Sequence, residues 1–256
     1  MSRRKVSFIS GIILLIVIFL LSGCSDNLNT NNSGSVNSDG NETAAPVDNE
    51  REGEEASMAV LLYQGHGSLR LTTGEGKVIY IDPYAGGGYD LPADLILVTH
   101  PHQDHSAVDL ITTQNPGCIT ITNKEALVNG EYKVFPMDYV TVEAVEAGNN
   151  PNHSINEYVG YILTLSSGKS IYVSGDTSTT DQMAGLAARN LDYAFFCCDG
   201  VYNMDIDEAI ACAGLVQAQH NIPYHMAPGQ LFSRETAERF TAENRLIVAD
   251  GEEIKI

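Results

Sequence analysis

Past residue 58 the chain is a succession of short, often β-branched apolar runs separated by glycine, proline, asparagine and aspartate. Runs this short between turn formers predict strands. They fall at 58–64, 68–72 and 77–82, a meander whose tight turn is Gly74-Glu75-Gly76, and at 94–99, 118–122, 139–147, 157–166, 169–174 and 191–197. Ser167-Gly168 turns the 157–166 and 169–174 pair. The apolar period lengthens at 205–219, where Ile206, Ile210, Leu215 and Val216 share roughly one helical face behind an Asp205-x-x-Glu208 cap. A second helix is expected at 233–242, and another begins within 104–111. Two groups of strands with helices outside predict an α+β domain of two sheets packed face to face, each covered by helices.

The preceding 57 residues read differently. A basic start, Met1-Ser-Arg-Arg-Lys, leads into an apolar run from Val6 to Leu21 and then the box Leu21-Ser22-Gly23-Cys24. This is the pattern of a bacterial lipoprotein signal, so residues 1–23 are expected to be removed and Cys24 to carry lipid. An uncleaved membrane anchor is the alternative, and either places the domain outside the cytoplasm on a membrane. Residues 24–57 are mostly polar and acidic, with too few apolar side chains to offset ordering entropy, and predict a disordered tether. Residues 58–256 are long enough for one domain with its own core.

Charge narrows the partners. The formal net charge is −19, and loss of Arg3, Arg4 and Lys5 would make it −22. A chain this acidic, with no clustered Lys or Arg, is a poor ligand for a phosphate backbone, so no nucleic-acid partner is expected. The acyl chains would do the anchoring. Of five cysteines, Cys118, Cys197, Cys198 and Cys212 remain beside Cys24. Neighbouring strand residues point to opposite faces, which disfavours a Cys197–Cys198 bond and favours buried free thiols.

The candidate chemistry sits after the apolar run Leu95-Ile-Leu-Val98, in Thr99-His100-Pro101-His102-Gln103-Asp104-His105. Three imidazoles and a carboxylate at the end of a core strand suit a divalent cation such as zinc. His100 and His102, two apart, point the same way in an extended segment and can share one ion. Asp104 and His105, past the turn, can serve another. Four residues do not close two sites, and three further candidates follow. His153, in a loop, would join His100 and His102. Asp176, at a strand end, would bridge both ions. His225, after Ile222-Pro223-Tyr224, would join Asp104 and His105. His220 is read as structural, ending a helix where a cation suits the dipole. Asp82 and Asp94 are candidates to orient ligands by accepting imidazole N–H groups, with plain turn roles as an equal alternative. Gly86-Gly87-Gly88 lacks the Lys and Ser/Thr of a phosphate loop and reads as a flexible connection.

Together these residues resemble the metallo-β-lactamase superfamily over about 58–256, and most closely its compact branch of ascorbate-6-phosphate lactonase-like hydrolases. The resemblance implies a four-layer αβ/βα sandwich with the metal site at one edge of its sheets. It also places His66, Tyr202 and Asn203 near substrate or behind the ligands. The expected cofactors are two divalent ions, zinc first, with manganese or iron also compatible. Their expected action is to acidify a shared water for attack on a carbonyl or phosphoryl centre, with Asp104 or Asp176 holding the nucleophile and taking its proton. The substrate expected is a small, anionic ester, lactone, amide or phosphoester. The rival reading is a metal- or ligand-binding surface lipoprotein without turnover. An antibiotic-destroying lactamase and a glyoxalase-type thioesterase fit less well, the latter because it needs an extra helical domain.

Overall fold

The computed structural model describes residues 58–256. The signal, lipid-bearing Cys24 and tether expected from the sequence lie outside the described residues. A first sheet is built from β1 (Val60–Gly65), β2 (Ser68–Thr72), β3 (Val78–Ile81), β4 (Ala93–Leu97) and β5 (Gln114–Ile121), with β14 (Glu253–Lys255) added at its edge. A second comprises β8 (Val134–Pro136), β9 (Val140–Glu146), β10 (Val159–Leu165), β11 (Ser170–Val173), β12 (Tyr193–Cys197) and β13 (His220–Tyr224). The orders are β14-β1-β2-β3-β4-β5 and β13-β12-β11-β10-β9-β8. The short helix α1 (Asn123–Ala126) and the β6–β7 hairpin (Leu127–Val128, Glu131–Tyr132) lie between the sheets in sequence.

The sheets repeat one plan. β1–β2 and β2–β3 are antiparallel, while β3–β4 and β4–β5 are parallel. β9–β10 and β10–β11 are likewise antiparallel, and β11–β12 and β12–β13 parallel. Matching aspartates lock the parallel pairs where they begin. Asp94 accepts the Val78 amide at 3.0 Å and the Lys77 ammonium at 3.0 Å, and Asp192 accepts the Ser170 amide at 2.9 Å and the Lys169 ammonium at 2.8 Å.

Alternation explains why the central strands are apolar at nearly every position. In β3, Ile79 and Ile81 join the main core while Val78 and Tyr80 join a smaller cluster on the opposite face. In β4, Leu95 and Leu97 face the first cluster and Ile96 the second. A parallel strand buried on both faces needs this continuous run. Against the second sheet pack α2 (Met183–Leu186), α3 (Ile206–Val216) and α4 (Arg234–Arg239), through Met183, Leu186, Ala209, Cys212, Val216 and Ala237. Phe240, just past α4, stacks on Phe196 at 6.2 Å. Asp205 caps α3 as expected, its side chain accepting the Glu208 amide.

The α+β sandwich holds, with four differences. The first sheet's outer cluster is covered by Tyr89, Leu91 and Val108 rather than by α-helices. The helix expected over 104–111 is only a 3-10 turn, Val108–Leu110, because the Ala107 amide bonds the Pro83 carbonyl at 2.8 Å instead of continuing a helix. His220 opens β13 and stacks on Tyr193 at 4.9 Å, since α3 already ends at Gln217 in the left-handed region. Gly86 and Gly88 form no loose connection: a Cβ would sit 1.9 Å from the Gln64 carbonyl at Gly86 and 2.4 Å from Leu62 Cδ2 at Gly88. Close backbone approach requires glycine there. All four described cysteines are free, three of them buried.

Candidate metal centre

The parallel strands of both sheets deliver their carboxyl ends to one place, the usual ligand position in such sheets. Asp82 follows β3, residues 99–105 follow β4, Asp176 follows β11, Asp199 follows β12 and His225 follows β13. His66 comes from the β1–β2 turn, and His153 and Tyr158 from the β9–β10 connection. His66, Asp82 and His225 have φ values of 53, 47 and 45°. Such backbone costs about 1–3 kcal/mol at a non-glycine residue and gathers at functional sites.

The seven positions singled out in sequence come together, and His66 joins them. Donor atoms of His100, His102 and His153 lie within 4.8 Å of one another, as do those of His66, Asp104, His105 and His225, and those of His100, His105 and Asp176. Asp176 stands between the groups. Its Oδ2 is 3.6 Å from His153 Nε2 and 3.9 Å from His100 Nε2, and its Oδ1 is 3.3 Å from His105 Nε2 and 3.5 Å from His225 Nε2. Asp104 Oδ2 lies 3.1 Å from His66 Nε2 and 4.0 Å from His225 Nε2. His102 Nε2 meets the Tyr158 hydroxyl at 3.2 Å.

The outer hydrogen bonds fix which ring nitrogens are bare. Asp82 Oδ1 accepts the Thr99 amide at 2.7 Å, and its Oδ2 accepts the Thr99 hydroxyl at 2.6 Å and His105 Nδ1 at 2.9 Å. With its proton given to Asp82, the Thr99 oxygen accepts His100 Nδ1–H at 3.0 Å. His66 Nδ1–H is likewise donated to the Gln230 carbonyl at 3.2 Å. In the neutral rings the inner Nε2 lone pairs of His100 and His105 therefore face Asp176, an arrangement that suits a cation between, while His66 Nε2 is within hydrogen-bond distance of Asp104 Oδ2. Asp199 Oδ2 lies 3.1 Å from His225 Nδ1, off the line of a hydrogen bond, and takes Asn203 Nδ2 at 2.7 Å.

The electrostatics show how strongly these carboxylates and imidazoles are coupled. Burial pushes the Asp176 carboxyl up, but His225 and His105 outweigh it and hold it well below the carboxylate range. Burial likewise opposes ionisation of Asp104, and the bond to His66 with the nearby His105 reverses that. Burial opposes charging of His105, yet Asp176 and Asp82 drive it well upward. His100 goes well below its ordinary range, through burial first and then the neighbouring His105. Asp199 is carried down to about 2, with burial overcome by His225 and the Tyr202 and Val201 amides.

The residues fit a metal. His100 Nε2, His105 Nε2, His225 Nε2 and Asp176 Oδ1 are buried with no hydrogen-bond partner. Orphaned buried polar atoms are costly, and four converging on one space suit a shared cation. Imidazole and carboxylate donors accept zinc, manganese or iron.

The remaining sequence candidates divide. Asp82 orients two imidazoles, whereas Asp94 touches none and serves the strand pair instead. Asn203 supports Asp199, and Tyr202 is exposed with its carbonyl accepting Asn152 Nδ2 at 3.2 Å. Sequence reasoning assigned no role to Thr99, Tyr158 or Asp199. Asp199 carried the one available signal, an acidic residue ending an apolar strand, as Asp82 and Asp176 do.

The chain matches the β-lactamase superfamily domain over residues 60–225. A UPF0173 metal-dependent hydrolase of Flavobacterium johnsoniae is 26% identical over 225 residues, covering 77% of this chain and 99% of that protein. A UPF0173 metal-dependent hydrolase of Methanosphaera stadtmanae is 25% identical over 228 residues, covering 75% and 97%. Igni18, a metallo hydrolase of Ignicoccus hospitalis, shares the fold with a TM-score of 0.61 at 19% identity, over 78% of this chain and 98% of its own. Because the family match over residues 60–225 spans the centre that the two sheets build, the chain belongs to the β-lactamase superfamily, as a metal-dependent hydrolase of the metallo-β-lactamase fold.

Proposed function

We propose that the protein is an extracytoplasmic, lipid-anchored hydrolase that works with two divalent cations, zinc first, on a small anionic ester, lactone, amide or phosphoester. The observation that carries this reading is the set of bare, buried donors around Asp176. His100, His102 and His153 would hold one cation, Asp104, His105 and His225 the other with His66 beside them, and Asp176 would be shared. Bound there, the cations would supply Lewis-acid polarisation and a water acidic enough to attack at neutral pH. Asp176, buried among four imidazoles, would hold charge rather than move a proton, a reading its burial supports. Asp104, with 39% of its side chain exposed, is the carboxylate open to incoming water and is assigned to orient it and take its proton. The export and lipid assignment rests on the Leu21-Ser22-Gly23-Cys24 box. A lactone- or phosphodiester-type substrate is preferred, because the acidic chain offers no basic surface for a polymer.

The test is hydrolysis of a panel of a lactone, a phosphodiester and a β-lactam by purified protein, with His102→Ala beside the wild type. His102→Ala should lose metal at the first group and fall at least about 100-fold in turnover while keeping its circular dichroism. Full activity in that variant would remove the mechanism.

A further inference from the structure

Beside the centre lies a cleft of 410 Å³, within the range of small-molecule sites. Pro101, Leu127 and Tyr158 line it with apolar surface, and Asn123, Lys124 and Glu157 supply its polar groups. Tyr158 borders both spaces, since its hydroxyl meets His102 and its ring lies 4.8 Å from that of His100 and 5.1 Å from that of His153. Pro101 stands between His100 and His102 in the chain.

The walls are braced independently of any ligand. Asn123 Nδ2 donates to the Glu157 carbonyl at 2.8 Å, and the Tyr132 hydroxyl donates to the Ile155 carbonyl at 3.2 Å. Lys124 is exposed on the cleft wall. Among the described residues Arg70, Lys77, Lys133, Lys169 and Arg189 each have a carboxylate within ion-pair distance, whereas Lys124, like Arg234, Arg239 and Arg245, has none that close and only a longer-range attraction to Glu125. Its neighbour Glu125 is turned back on Thr122, accepting the amide at 2.9 Å and the hydroxyl at 2.6 Å.

We propose that this cleft takes the carboxylate-bearing end of the substrate, with Lys124 as the anion anchor and Leu127, Pro101 and Tyr158 against its apolar body. The inference rests on the hydrolase reading above and names the substrate class of that site. One ammonium in direct contact balances one charge, and Glu157 on the same wall opposes every anionic charge, so each charge beyond the contacted one adds repulsion without a partner. The cleft therefore fits a monoanionic carboxylate better than a phosphate dianion. The scissile bond would lie on the far side of Tyr158, toward the bare donors.

The test pairs a binding readout with a kinetic one on zinc-loaded, full-length protein. Calorimetric titration compares 4-phenylbutyrate with neutral 4-phenylbutanamide for wild type, Lys124→Ala and Lys124→Arg. Hydrolysis of monomethyl and dimethyl adipate is followed in parallel. The wild type should favour the carboxylate at least about tenfold, the loss expected for one charge-assisted contact. Lys124→Ala should erase that preference and raise KM for the monoester alone, and Lys124→Arg should keep it. Equal binding of both probes by wild type, or a preference that survives in Lys124→Ala, overturns the assignment. A Lys124-dependent preference without turnover of either ester keeps the cleft and removes the hydrolase reading. Turnover of both esters with KM unmoved by Lys124→Ala does the reverse.

Discussion

Asp82 is placed to hold two rings in register without itself being assigned to a cation. Its carboxylate takes the Thr99 amide, the Thr99 hydroxyl and His105 Nδ1, and through the Thr99 oxygen it fixes the tautomer of His100 as well. An amide at this position turns an acceptor into a donor facing N–H and O–H groups. Asp82→Asn should therefore weaken metal binding by about 10–100-fold, as loss of such a supporting contact typically does. Competition against a chromogenic zinc chelator measures it, and affinity equal to wild type would show that the rings need no such support. The His-x-His-x-Asp-His run was legible because its donors are contiguous. Thr99, Tyr158 and Asp199 were not, because threonine, tyrosine and aspartate are common at strand ends and their roles come only from what the fold sets opposite them.

At the level of elements, paired aspartates do for each sheet what capping does for a helix. Asp192 satisfies the first amide of β11 and the Lys169 ammonium. Burial pushes its carboxyl up, but Lys169 and the Ser170 groups outweigh that and leave it below the ordinary carboxylate range. A carboxylate held low when folded stabilises fully above its unfolded pKa, and that contribution drains away as pH falls through the folded value. Asp192→Asn should thus cost about 1–2 kcal/mol at neutral pH. The variant should also lose less stability than wild type below about pH 4. Urea melts across that range decide the matter, and parallel acid limbs for the two proteins would count against the carboxylate. The long central strands were readable from continuous apolar runs. The short β6, β7, β8 and β14 were not, since two- or three-residue strands with exposed positions carry no period. The expected helix at 104–111 failed because a tertiary bond to Pro83 overrode local propensity.

For the whole molecule, the strands of two similar sheets meet at their carboxyl ends, and sequence-distant imidazoles become neighbours only through that topology. The proposed lipid at Cys24 makes a separate prediction: Cys24→Ser should move the protein from the membrane pellet to the supernatant after cell fractionation, and continued pelleting would argue against lipidation. The central claim is that the carboxylates and imidazoles around Asp176 enclose a pair of cations. Metal content of the purified protein, by plasma mass spectrometry, tests it most directly. The account predicts two divalent ions per chain in the wild type and loss of metal when Asp176 is replaced by alanine. A wild-type protein that purifies metal-free and stays so in zinc, or an Asp176→Ala variant that retains both ions, would contradict it.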